Sequence, residues 1–153
     1  NSMKLSDNFT LNEFTKSQTA DRKGIANNPN EIHVMAMESL CYNILERIRA
    51  AFAKPIIVNS GYRSVALCEA IGSKSTSQHC DGEAADIEIH GVSNYDLAKY
   101  IEKELNFDQL ILECWDGIEP NSGWVHVSYV NDIGNRKDVL TYTREGGYTK
   151  GII

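Results

Sequence analysis

Two histidines and an aspartate are the residues of this chain best suited to chemistry. His79 and Asp86 share one run, Ser77-Gln78-His79-Cys80-Asp81-Gly82-Glu83-Ala84-Ala85-Asp86. His126 lies in Trp124-Val125-His126-Val127-Ser128, where an extended backbone puts Trp124, His126 and Ser128 on one face. Gly82 and the two alanines let the backbone turn back closely enough for His79 and Asp86 to reach one point. Two imidazoles and one carboxylate, with a fourth position left to water, form the ligand set of an open catalytic zinc site. Spacing alone supports this weakly, because four histidines and 21 acidic residues offer many such triplets. The chain holds no His-Glu-x-x-His, which excludes the helix-borne metalloprotease arrangement. His33 reads as a surface residue at a helix start, and His90, beside Gly91, as a loop residue.

The elements that must position these side chains follow from periodicity. Met37, Leu40, Ile44, Ile48 and Ala51 recur at spacings of three and four, and Cys41 and Leu45 widen the stripe. This predicts a long helix capped by Asn30 and closed by Pro55. The β-branched run at 56–58 predicts a buried strand. A turn at Asn59-Ser60-Gly61 and a short helix over 65–71 follow. Residues 17–31 and 72–82 read as polar loops. Residues 84–89 predict a half-buried strand, and Ser93 with Asp96 makes a capping-box pattern ahead of Leu97, Ile101 and Leu105. Strands over 109–114 and 124–129 come next, and 139–142 adds another. Helices precede strands, and most connections are too short for parallel crossovers. The expected fold is α+β, a largely antiparallel central sheet flanked by helices.

Composition narrows the function classes. The chain has 153 residues, enough for one domain over 3–153 that buries roughly 70% of its unfolded surface without needing disulfides or a structural metal. Asn1 and Ser2, ahead of Met3, read as a remnant of tag removal. A net charge of −6 and a pI near 5.2 argue against a nucleic-acid binder and against a basic protein of membrane surfaces. No apolar run approaches the ~18 residues of a membrane span. The four cysteines, Cys41, Cys68, Cys80 and Cys114, form no Cys-x-x-Cys pair and read as free thiols in a reducing compartment. The N-terminus lacks a basic and then apolar leader. The expectation is a cytoplasmic protein without its own signal, or a secreted one if an upstream signal was trimmed.

Three ordered blocks resemble the zinc D-alanyl-D-alanine carboxypeptidase family, which includes phage endolysins and shares its fold with Hedgehog and lysostaphin-type domains. They are Ser60-Gly61-Tyr62-Arg63-Ser64, then Ser77-Gln78-His79-x-x-Gly82-Glu83-Ala84-Ala85-Asp86, then Trp124-Val125-His126-Val127-Ser128. Phe9-Thr10-Leu11-x-Glu13-Phe14, Ile25-x-Asn27 and Phe107-Asp108-Gln109-Leu110-Ile111-Leu112-Glu113 extend the likeness over about residues 8–130. The resemblance implies one zinc per chain, held by His79, Asp86 and His126. Zinc lowers the pKa of water that it binds to about 7 and polarises a peptide carbonyl. Arg63 is then expected to face the metal, gripping a substrate carboxylate or stabilising an oxyanion. Its alternative is a structural ion pair. Trp124 and Ser77 are further substrate-contact candidates, and Trp115, like Trp124, is a candidate for the cleft wall.

The general base departs from the family's pattern. Several relatives carry Glu or His two or three residues before the last zinc histidine, where this chain has Gly123 and Trp124. Glu113 is the candidate instead, because its strand can neighbour that of His126; Asp116 is the reserve. Glu83 and Asp81 read as solvated loop acids, and Cys80 as a minor candidate for a soft metal. The implied activity is zinc-dependent hydrolysis of peptidoglycan stem peptides by a monomer of phage or prophage type that acts on the wall after release. Carboxypeptidase and L-Ala-D-Glu-type endopeptidase both fit. The alternative is a non-catalytic zinc-containing wall-binding or phage structural module.

Overall fold

A computed structural model describes residues 3–153, so the tag-remnant reading of Asn1 and Ser2 lies outside the described residues. The chain opens with β1 (Lys4–Ser6), β2 (Phe9–Thr10), α1 (Leu11–Thr15) and α2 (Gln18–Lys23). Helix α2 corrects the loop expected over 17–31. Ser17 caps it by accepting from the Ala20 amide, and Gly24 closes it in the left-handed region at φ +65°. Only Ala20 of this helix is buried, so it carries no apolar stripe for periodicity to detect.

The long helix is present but broken. It runs as α3 (Glu31–Leu40), a π-helical turn (Cys41–Leu45) and α4 (Glu46–Phe52). Asn30 caps it as expected, and the His33 ring completes a capping box. His33 is half-buried and lies 5.0 Å from the Tyr62 ring, so it is more than a surface residue. Within the π turn, the Asn43 side-chain amide donates to the Ser39 carbonyl at 2.9 Å, a local competitor for the α-helical bond. The helix ends at Ala53 in the left-handed region, two residues before Pro55. Met37, Leu40, Cys41, Ile44, Leu45 and Ile48 are all fully buried. Each large apolar side chain among them contributes roughly 1.5–3 kcal/mol on burial.

Next come β3 (Ile57–Ser60), α5 (Val65–Ala70), a short 3₁₀ turn (Gln78–Asp81) and β4 (Ala84–Glu88). Then follow α6 (Asn94–Glu104), β5 (Gln109–Glu113), β6 (Trp124–Ser128), β7 (Asp138–Thr143) and β8 (Gly147–Lys150). Six strands make one sheet in the order β3-β4-β6-β5-β7-β8. It is antiparallel except for β5 beside β7, which run parallel. The α+β expectation with a largely antiparallel sheet agrees with this; strand β8 and the parallel pairing were not foreseen.

Alternation divides the sheet. Ala85, Ile87, Leu110, Leu112, Val125 and Val127 belong to the apolar core that also holds the α3, α4 and α6 stripes. The intervening residues, Asp86, Gln109, Ile111, Glu113, Trp124 and His126, line a cleft on the other face. A period of two thus turns one side of the sheet to the core and the other to the cleft.

Candidate metal centre

Asp86 and His126 are direct cross-strand partners on β4 and β6, so sheet register sets their spacing. His79 comes from the 3₁₀ turn that precedes β4. Gly82 ends that turn at φ +76°, where an added Cβ would meet the His33 carbonyl oxygen at 2.5 Å. Only glycine fits this close approach, and it brings the loop back over the sheet. One ligand atom from each of His79, Asp86 and His126 lies within 4.8 Å of the others, and all three residues are buried.

Asp86 Oδ1 stands 3.3 Å from His79 Nε2 and 3.0 Å from His126 Nδ1. On the far side of the His79 ring, Nδ1 donates to the Gly61 carbonyl at 2.7 Å. A carbonyl only accepts, so Nδ1 carries a hydrogen, and Nε2 is the ring nitrogen aimed at Asp86. Two ring nitrogens aimed at one carboxylate oxygen need a cation between them, either protons or a metal. Two nitrogens and one oxygen suit zinc, and the Gly61 carbonyl is the kind of outer partner that fixes a ligand tautomer. The residues therefore fit the metal. Burial pushes the Asp86 carboxyl up. The His79 charge and the hydrogen bonds and charge of the two imidazoles outweigh it, holding the group well below the ordinary aspartate range.

Arg63 closes the other side of Asp86. Its Nη2 lies 3.2 Å from Asp86 Oδ2, and its Nε donates to Ser60 Oγ at 2.9 Å. Its backbone amide donates to the His79 carbonyl at 3.1 Å. In this arrangement the guanidinium orients the Asp86 carboxylate. Ser77 lines the cleft too, but its Oγ accepts from the His79 amide at 3.2 Å and caps the turn that carries the histidine.

Glu113 ends β5 directly opposite Trp124 on β6, in the same cleft as the three candidate ligands. Its Oε2 accepts from Trp124 Nε1 at 3.0 Å. Burial, then the Asp86 charge, pushes this carboxyl above the ordinary glutamate range, against the opposing pull of His126 and Trp124. Trp124 thus anchors the carboxylate of an acid from the next strand. Gly123, at φ +67°, is required by the same junction, since an added Cβ would lie 1.9 Å from the Glu113 carbonyl oxygen.

Asp116 is elsewhere. It is exposed, its Oδ1 accepts from the Ile118 and Glu119 amides and from Ser122 Oγ, and it organises the turn between β5 and β6. Trp115 packs near Tyr95 at 6.1 Å between ring centres and does not line the cleft. Cys80 points at Cys68. Glu83 hydrogen-bonds Gln78, and Asp81 is exposed.

The cleft measures about 770 Å³ and has walls that sequence reading missed: Lys74, Gln109, Ile111, Arg136 and Tyr148. Gln109 and Ile111 were accessible in principle, because they alternate with Glu113 along one strand. Arg136 and Tyr148 carried no local signal, since β7 and β8 join the sheet through long-range pairing. No helix among the described residues is long and apolar enough to cross a membrane.

No curated protein matches the chain. A family model described as peptidase M15 matches residues 7–128, a span that holds the three metal-ligand candidates, Arg63 and Glu113 and stops before β7 and β8. The chain belongs to the peptidase M15 family, the zinc D-Ala-D-Ala carboxypeptidase-like peptidases.

Proposed function

We propose that this chain is a zinc peptidase that hydrolyses peptide bonds in peptidoglycan stem peptides, working as a single-domain monomer with one zinc per chain. The observation that carries the reading is the convergence of His79, Asp86 and His126 beside a second, raised carboxyl, Glu113, in one open cleft. When bound, zinc supplies a polarised peptide carbonyl and an acidified water. His79, His126 and Asp86 would hold it, and Arg63 keeps Asp86 oriented. Glu113 takes a proton from the attacking water and returns it to the leaving amine. A glutamate raised above its usual range is better matched to that exchange near neutral pH. Trp124 holds the Glu113 carboxylate in place, and Arg63, Trp124 and Ser77 contact the substrate backbone. Resemblance to endolysins supports a phage or prophage role on the wall.

The test is release of fragments from purified peptidoglycan, identified by mass, with zinc content measured before and after chelation. One zinc per chain and chelator-sensitive release are expected. Free D-alanine identifies a carboxypeptidase, and larger stem fragments an endopeptidase. Zinc with wall binding but no release would overturn the enzyme reading in favour of a wall-binding or phage structural module.

A further inference from the structure

Beside the metal centre lies a pair of side chains that the hydrolytic reading does not use. Cys68 sits on α5 and Cys80 in the 3₁₀ turn, and their Sγ atoms are 2.9 Å apart. Both are buried. The other two cysteines, Cys41 and Cys114, make no such pair among the described residues. Bonding at ~2.05 Å requires the two sulfurs to close by under ~1 Å. No third His, Cys, Asp or Glu joins them in a metal-ligating cluster among the described residues, so the pair is unsuited to a metal.

The chain between them matters for the cleft. It leaves α5 through a Ser73 amide bond to the Cys68 carbonyl and supplies Lys74, Thr76 and Ser77 to the cleft rim. It then delivers His79, the residue before Cys80. A covalent link at this point would close the rim into a loop with both ends fixed.

We propose that Cys68 and Cys80 form a disulfide that staples the cleft rim when the protein folds in an oxidising thiol pool. With glutathione disulfide as oxidant, one cysteine thiolate attacks it and releases one glutathione, giving a mixed disulfide. The second cysteine attacks the protein sulfur of that mixed disulfide and expels the second glutathione. Two thiols lose two electrons and two protons, and one glutathione disulfide becomes two glutathiones. The proposal stands apart from the peptidase reading, because the link forms whether or not the cleft cuts peptides. It would convert two of the four thiols, all free in the structure, into a pair matched to an oxidising compartment outside the cytoplasm.

The full chain is unfolded and refolded in mixed reduced and oxidised glutathione, alkylated under denaturing conditions and digested with trypsin. Trypsin cuts after Arg63, Lys74 and Lys99, so Cys68 and Cys80 fall on separate peptides, 64–74 and 75–99. These are expected to run as one species two hydrogens lighter than their sum, with Cys41 and Cys114 alkylated. Oxidised protein is expected to melt higher than reduced protein by on the order of 5–10 °C. The double variant Cys68→Ala with Cys80→Ala is expected to lose that difference. Four alkylated cysteines, a link involving Cys41 or Cys114, or a melting difference retained in the double variant would each overturn the proposal.

Discussion

The two halves of the sheet treat their carboxylates in opposite ways. On the β4 and β6 side, Asp86 is buried among two imidazoles and a guanidinium and is held well below its ordinary range. On the β5 side, Glu113 faces the same cleft with one tryptophan donor and the Asp86 charge nearby, and is pushed up. Burial acts alike on both; the partners decide the sign. A paired carboxylate stays ionised and suits a metal ligand, whereas an under-paired one accepts a proton readily and suits a base. One cleft therefore holds two acids in opposite states, set by their surroundings, and the proposed function gives each a different role.

The strongest way to break the comparison is at the paired acid. Asp86→Ala leaves Arg63 and two imidazoles without their shared anion. It is expected to abolish both stoichiometric zinc and fragment release, with metal content and mass spectrometry as the readouts. Next comes the junction that carries the under-paired acid. Gly123→Ala forces a Cβ into the Glu113 carbonyl at a positive φ and is expected to cost about 3 kcal/mol in denaturant unfolding. Trp124→Phe keeps the ring and removes the donor to Glu113. The expected loss is about tenfold in kcat with zinc content unchanged.

The sign of the Glu113 shift has a consequence in metal-free protein. A raised carboxyl is stable as the neutral acid, so ionising it costs stability as pH rises through its folded pKa. Glu113→Gln avoids that cost. It is expected to melt higher than wild type by on the order of 2 °C at pH 7 and equally at pH 3, without metal. Asp116→Ala should be the mildest change, leaving cleavage within about twofold, since the side chain serves only its own exposed turn.

Much of this arrangement was legible in the sequence where local patterns carry it. Alternation at 84–89 and the strand runs at 109–114 and 124–129 placed Asp86, Glu113 and His126 on strands, and Asn30 and Ser93 marked their helices. The three motif blocks brought His79 to the same point. What stayed hidden depends on partners far along the chain or on elements without an apolar period. Helix α2 buries one alanine, and the π turn, which holds the Asn43 side-chain bond to the Ser39 carbonyl, interrupts a helix whose apolar stripe is continuous. Strand β8 is paired only with β7, and the parallel β5–β7 contact sets where Arg136 and Tyr148 meet the cleft. That Arg63 would face a metal was implied only by the family resemblance of its 60–64 block. Only the structure shows it bonded to Asp86 and Ser60.

The most direct test of the two-acid account measures zinc content and peptidoglycan cleavage together on wild type and Glu113→Gln. The account predicts one zinc in both proteins and a 10²- to 10⁴-fold loss of cleavage, the usual contribution of a general base, in the variant. Full zinc with cleavage undiminished in Glu113→Gln would contradict it.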